Sequence, residues 1–80
     1  AARELDIRGL ETLEAESAVE TFLSTAVMGH LETVTIIHGK GTGALRNAVH
    51  DILRRNKNVK SFRLGVYGEG ENGITVVTMK

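Results

Sequence analysis

The 80-residue chain has no cysteine, which excludes disulfides and thiolate-bound zinc as scaffolding and leaves a hydrophobic core to hold the fold alone. It has no proline, so no pattern of helix or strand is broken by a missing backbone donor. The aromatics are Phe22, Phe62 and Tyr67, too few for recognition that relies on stacking against bases. No apolar run approaches the ~20 residues of a membrane-spanning helix and no signal peptide is visible, so the expectation is a cytoplasmic protein without a membrane partner. The chain opens Ala-Ala-Arg without a methionine, which reads as a piece of a longer protein.

What is present is an ordinary globular composition, 41% hydrophobic and 25% charged, in a length that fits one domain near the lower limit for a self-sufficient core. The net charge of zero conceals a division. Residues 1–37 carry seven acids and two bases, whereas residues 38–80 carry eight bases and three acids. Such asymmetry points to nucleic-acid contact, unless the opposite charges simply pair across the fold.

Glu4 to Arg8 alternates polar and apolar residues, as a half-buried strand does, and Gly9 ends it. Thr12 is the expected N-cap of a helix whose apolar positions run Ala15, Ala18, Val19, Phe22, Leu23, Ala26 and Val27, with Gly29 as its C-cap. The β-branched run Thr33 to Ile37 predicts a well-buried strand. Leu45, Ala48, Val49, Ile52 and Leu53 mark a second amphipathic helix, with Arg46, Asn47, His50 and Arg54 on its outer face. Val59 to Leu64 and Ile74 to Met79 are the remaining strands. The order is β-α-β-α-β-β. Right-handed crossovers make the first three strands parallel, and the nine-residue loop "GVYGEGENG" is too short for another, so the last runs antiparallel. Two helices cover one face only, giving a two-layer α/β sandwich with a four-stranded mixed sheet and one open face.

In open α/β sheets, ligands bind beyond the carboxyl ends of the parallel strands. Eight of the nine glycines fall at that rim or in its loops, Gly29 being the exception. There the stretch "HGKGTG" before a helix offers backbone N–H groups and a helix start to an anion. It is neither a Walker A loop nor G-x-G-x-x-G, because its third glycine comes one residue early. A tight strand-to-helix connection would also use such glycines, but His38, Lys40, Thr42 and Arg46 beside Gly39, Gly41 and Gly43 point to phosphate binding. His38 is either a satisfied structural histidine or a general acid/base, with Asp6 on the neighbouring strand as its orienting carboxylate. Asp6 has its own alternatives, a solvent-facing strand residue or an ion pair with Arg8. His30 and His50 read as surface residues.

The segments "ELDIRG", "HGKGTGALR" and "GEGENGITVV", in that order and spacing, resemble those of Smr (small MutS-related) domains over Glu4 to Lys80. Many members read L-D-L-H-G at the first segment; Arg8 in the histidine place, with "HGKGTGALR", is similar to the C-terminal Smr domains of the second bacterial MutS paralogue, an ATP-binding relative of the mismatch-repair protein. The resemblance implies a fold like the C-terminal domain of translation initiation factor three, with strand order 1-2-4-3. It also implies nicking endonuclease activity on DNA or RNA, within a larger, dimeric parent associated with suppressing homologous recombination and with rescuing collided ribosomes. The isolated domain is expected to be monomeric. Asp6, Arg8, His38, Gly39, Lys40, Gly41 and Gly43 match the family segments, and Glu4 is a further candidate acid.

The sequence expectation is therefore an endonuclease with little sequence preference. Lys40, Arg46 and the loop amides hold phosphate, Arg8 stabilises developing negative charge, and His38 oriented by Asp6 moves a proton. Magnesium or manganese on Glu4 and Asp6 suits a two-carboxylate site. The alternative is a non-catalytic module that grips DNA or ribosomal RNA.

Overall fold

Alternating burial along the strands assigns the two faces of the sheet. The structure, a computed structural model, describes residues 2–80. Its elements are β1 (Glu4–Asp6), α1 (Thr12–Met28), β2 (Thr33–Ile37), α2 (Ala44–Arg55), β3 (Val59–Leu64) and β4 (Ile74–Met79), with a 3₁₀ turn at Glu71–Gly73. The sheet order is β1-β2-β4-β3, with β1 parallel to β2 and β4 antiparallel to both its neighbours. That is the expected mixed sheet.

Leu5, Ile7, Val34, Ile36, Val77 and Met79 point to one face and meet Val19, Phe22 and Leu23 of α1 and Val49, Ile52 and Leu53 of α2. Ala15 and Ala26, also in the core, are small enough to let α1 lie close to the sheet. Each fully buried large aliphatic there contributes ~1.5–3 kcal/mol. Glu4, Asp6, Thr35, Ile37 and Val76 alternate onto the other face, which no helix covers.

Two element ends differ from expectation, and a third, the Gly29 C-cap, is as expected but with the left-handed residue one position later. β1 stops at Asp6 rather than Arg8, because the Asp6 carboxylate accepts the Arg8 amide at 3.0 Å in a local turn that competes with the sheet ladder. Thr12 is the first helical residue of α1, not its cap; Glu11 precedes it in extended conformation and makes no side-chain cap bond. At the other end Gly29 is the C-cap with an ordinary φ of −85°, while the left-handed residue is His30, at φ 55°. Leu31 N–H donates to the Ala26 carbonyl at 3.0 Å and His30 N–H to that of Val27 at 3.1 Å, the paired bonds of a Schellman ending.

The fold also settles the question of charge. The four ion pairs among the described residues are Asp6–Arg8, Lys40–Glu71, Asp51–Arg54 and Arg63–Glu69, and none joins the acidic half of the chain to the basic half. The segregated charges are not internal partners.

Candidate nucleic-acid interface

The carboxyl ends of β1 and β2 and the start of β4 converge on one rim, and the glycine loops close over it. On the open side, Arg8 Nε and Nη2 donate to the Asp6 carboxylate at 3.0 and 2.7 Å. This fork and the Arg8 amide hold the Asp6 carboxyl at about 2, down from an ordinary 3.8. Arg8 in turn lies along Gly39: a Cβ there would sit 3.3 Å from Arg8 Cγ, and Gly39 has φ 86°. Arg8, Gly39, Lys40 and Gly73 line a cleft of about 360 Å³. Lys40 Nζ reaches Glu71 at 3.5 Å with both side chains about half exposed, a weak pairing that an incoming anion displaces at little cost.

On the helix side the loop runs into α2. His38 N–H and Gly39 N–H both donate to the Gly73 carbonyl, at 3.1 and 2.8 Å, which anchors the loop to the start of β4. The amides of Lys40, Gly41, Thr42 and Gly43 make no hydrogen bond among the described residues. Gly43 caps α2 at φ 89°, and a Cβ on it would lie 2.5 Å from Arg46 Nη2. Glycine there lets Arg46 fold back over the helix start. No acidic residue stands in the first turn of α2, so the Arg46 guanidinium and unpaired amides gather at the positive end of a helix dipole. Cations are disfavoured there by about 0.3–1 kcal/mol. Of the rim's cations, Arg8 and Lys40 have carboxylate partners, whereas Arg46 has none among the described residues.

His38 differs from expectation in two respects. It follows Val34 and Ile36 onto the helix face, whereas Asp6, in register with Ile37, lies on the open face. Asp6 therefore does not orient it. His38 is 4% exposed, with Nδ1 3.0 Å from the Gly39 carbonyl and Nε2 2.8 Å from Thr75 Oγ1. Both nitrogens are engaged, which leaves none for a substrate in this arrangement. Glu4 occupies the open face one pleat before Asp6 and joins none of the rim's hydrogen bonds. As a metal site the donor set is thin: Asp6 is forked by Arg8, and no cluster of three or more His, Cys, Asp or Glu among the described residues is placed to hold an ion.

Two participants were not expected. Thr75, fully buried at the start of β4, and His50 of α2 join His38 in a polar cluster: His50 Nε2 also lies 2.8 Å from Thr75 Oγ1. His50 is half-buried against Phe62 at 4.8 Å between ring centroids, not on the outer face. The available signal was its position beside Val49 on the edge of the apolar stripe.

Burial pushes both imidazoles below 6.5, with Arg46 adding to the effect on each. Unfolding frees them to bind protons, so their contribution is intact at neutral pH and declines as pH falls through about 6.5. Asp6 and Glu69, held at about 2 by Arg8 and Arg63, add a second decline as pH drops from about 4 toward 2. Urea midpoints measured from pH 8 to 2 should show two separate falls; a flat profile between pH 7 and 5 would contradict the burial of the histidines.

The Smr domain family model matches residues 5–80. The chain belongs to the Smr domain family. Endonuclease MutS2 of Clostridium novyi is 53% identical over 79 residues, which cover 99% of this chain and 10% of that protein. Endonuclease MutS2 of Caldicellulosiruptor bescii is 53% identical over 76 residues, again 10% of its length. This Smr domain thus spans about a tenth of the curated relatives it matches. The crystal structure of the Smr domain of Thermus thermophilus MutS2 superposes with TM-score 0.95 at 46% identity, covering 99% of each chain. YdaL, a stand-alone small MutS-related protein from Escherichia coli, superposes at 0.84 with 24% identity, covering 98% of this chain and 64% of that one, a likeness of fold alone. Among the described residues no helix is long and apolar enough to cross a membrane.

Proposed function

We propose that this chain is the nuclease domain of a larger MutS-family protein and nicks nucleic-acid strands with little sequence preference. The observation that carries this is the positive rim: Arg46, which has no acidic partner, beside unpaired loop amides at the start of α2, with Lys40 in the adjoining cleft only weakly paired to Glu71. A phosphate of the backbone completes it, and backbone contact carries no base information. The larger depressions, about 590 Å³ along α1 and about 530 Å³ at the opposite end of the sheet, lie away from the rim. A polymer engaged along its phosphates needs no enclosed cavity.

In this reading Lys40, Arg46 and the amides of the exposed residues Lys40, Gly41 and Thr42 hold the phosphate. Arg8 uses Nε and Nη2 on Asp6, leaving Nη1 for charge that develops on the phosphoryl oxygens. Asp6 fixes the guanidinium, and His38 holds the loop from beneath. Involvement of the parent in recombination control or ribosome rescue belongs to the same proposal, with DNA or RNA as the strand cut.

A binding module without catalysis is the second reading, favoured by the engagement of both His38 ring nitrogens. Nicking of supercoiled plasmid by the 80-residue chain, with magnesium, with manganese and with chelator, decides between them. Cutting supports the nuclease; binding without cutting under all three conditions supports the module. Either way, Lys40→Ala should weaken binding to all sequences alike and shallow the salt slope by about one unit. A loss confined to some sequences would refute backbone recognition.

A further inference from the structure

The cluster beneath the loop has a direction that its atoms dictate. A carbonyl only accepts, so His38 Nδ1, 3.0 Å from the Gly39 oxygen, carries a proton. In the neutral ring Nε2 is then a bare acceptor, and the Thr75 hydroxyl, 2.8 Å away, donates to it. A hydroxyl has one proton to give. His50 Nε2, also 2.8 Å from that oxygen, is therefore the donor, and His50 is the opposite tautomer. The chain runs from His50 N–H to Thr75 O–H to His38, and from His38 N–H to the Gly39 carbonyl.

We propose that His50 and Thr75 are positioning residues for the phosphate loop, acting through His38: the chain locks His38 neutral in its Nδ1–H form, which pins the Gly39 carbonyl inward and turns the following amides outward. Its bearing on cleavage rests on the nuclease reading above; its bearing on the loop does not. Thr75 is fully buried, so the hydroxyl has no solvent to turn to, and a second proton on His38 Nε2 would leave the Thr75 O–H without an acceptor. His50 takes a second proton on Nδ1, outside the chain, without breaking it. Arg46, Arg54 and Asp51 of α2 are the charged groups facing the pair, and Phe62 of β3 supplies the apolar wall.

Ring-nitrogen NMR of the 80-residue chain reads the tautomers without any assay of activity. The expected pattern is Nδ1–H for His38 and Nε2–H for His50, with His50 the first of the two to charge on acidification. His38 as Nε2–H, or His38 charging first, overturns the proposal. His50→Gln keeps an N–H near the Nε2 position and His50→Leu does not. The amide resonances of residues 39–43 should move in the leucine variant and stay in the glutamine variant, and cleavage should fall about tenfold or more only in the former. Loop resonances unchanged in both variants also overturn it. If the wild-type chain does not cut, the nuclease reading fails alone, and the tautomers and loop resonances still decide the chain.

Discussion

Asp6→Asn should bind nucleic acid as tightly as the wild type or somewhat more tightly, and cut it about 100-fold more slowly. The two effects oppose each other because the carboxylate does two things. It offsets one positive charge at the rim, so its loss strengthens attraction to phosphate. It also fixes Arg8 by a two-point fork at 3.0 and 2.7 Å. A guanidinium freed from that fork no longer holds its remaining N–H groups where charge develops, and small misplacement of such a group costs about 100-fold. Arg8→Lys should lose a comparable amount, since an ammonium cannot make the fork. Plasmid nicking at saturating enzyme, beside binding measured on the same substrate, checks this. Equal cutting by Asp6→Asn and wild type would reduce the pair to a surface ion pair, and a parallel loss of binding would mean the carboxylate shapes the rim.

The sheet and helices were legible because each has one strong period. Two-residue alternation in β1 and β-branching in β2 fix which residues face α1 and α2, and the short loop before β4 forces its direction. The rim was legible for the same reason, since strand direction alone gathers Arg8, His38 and the glycine loops at one end. The side chains at the rim were harder to place. Asp6 and His38 stand at one end of adjacent strands, but a single step of register separates Ile37 from His38 and sends the two groups to opposite faces. Adjacency in the sheet is visible in the sequence; the register that decides which residues face each other is not. Thr75 lies in an otherwise largely apolar strand and shares its buried face with Val77 and Met79. A hydroxyl on that face needs a partner, and two imidazoles supply one. The left-handed position after α1 fell to His30 instead of Gly29, because the helix keeps one more bond, Gly29 N–H to the Thr25 carbonyl, before it ends.

Ile36→Ala should remove a large share of the stability of the domain, about 2–5 kcal/mol, whereas Ile37→Ala, one residue along β2, should cost about 1 kcal/mol. Ile36 is fully buried beneath both helices, and truncating such a side chain costs about 2–5 kcal/mol through lost transfer energy and the cavity left behind. A chain of this length has only about 4–12 kcal/mol to lose. Ile37 lies half-buried on the open face, beside Asp6 and Ile74, where solvent takes up the vacated space. Urea unfolding of both variants should show displaced midpoints with an unchanged slope. Equal losses would mean that the two faces of the sheet are not distinguished as burial indicates. Ile36 is also paired in register with Thr75, so its side chain forms part of the floor under the His38 cluster. Nicking by Ile36→Ala should therefore decline with the folded fraction, and Lys40→Ala, exposed and weakly paired, should lose binding while unfolding at the wild-type urea concentration.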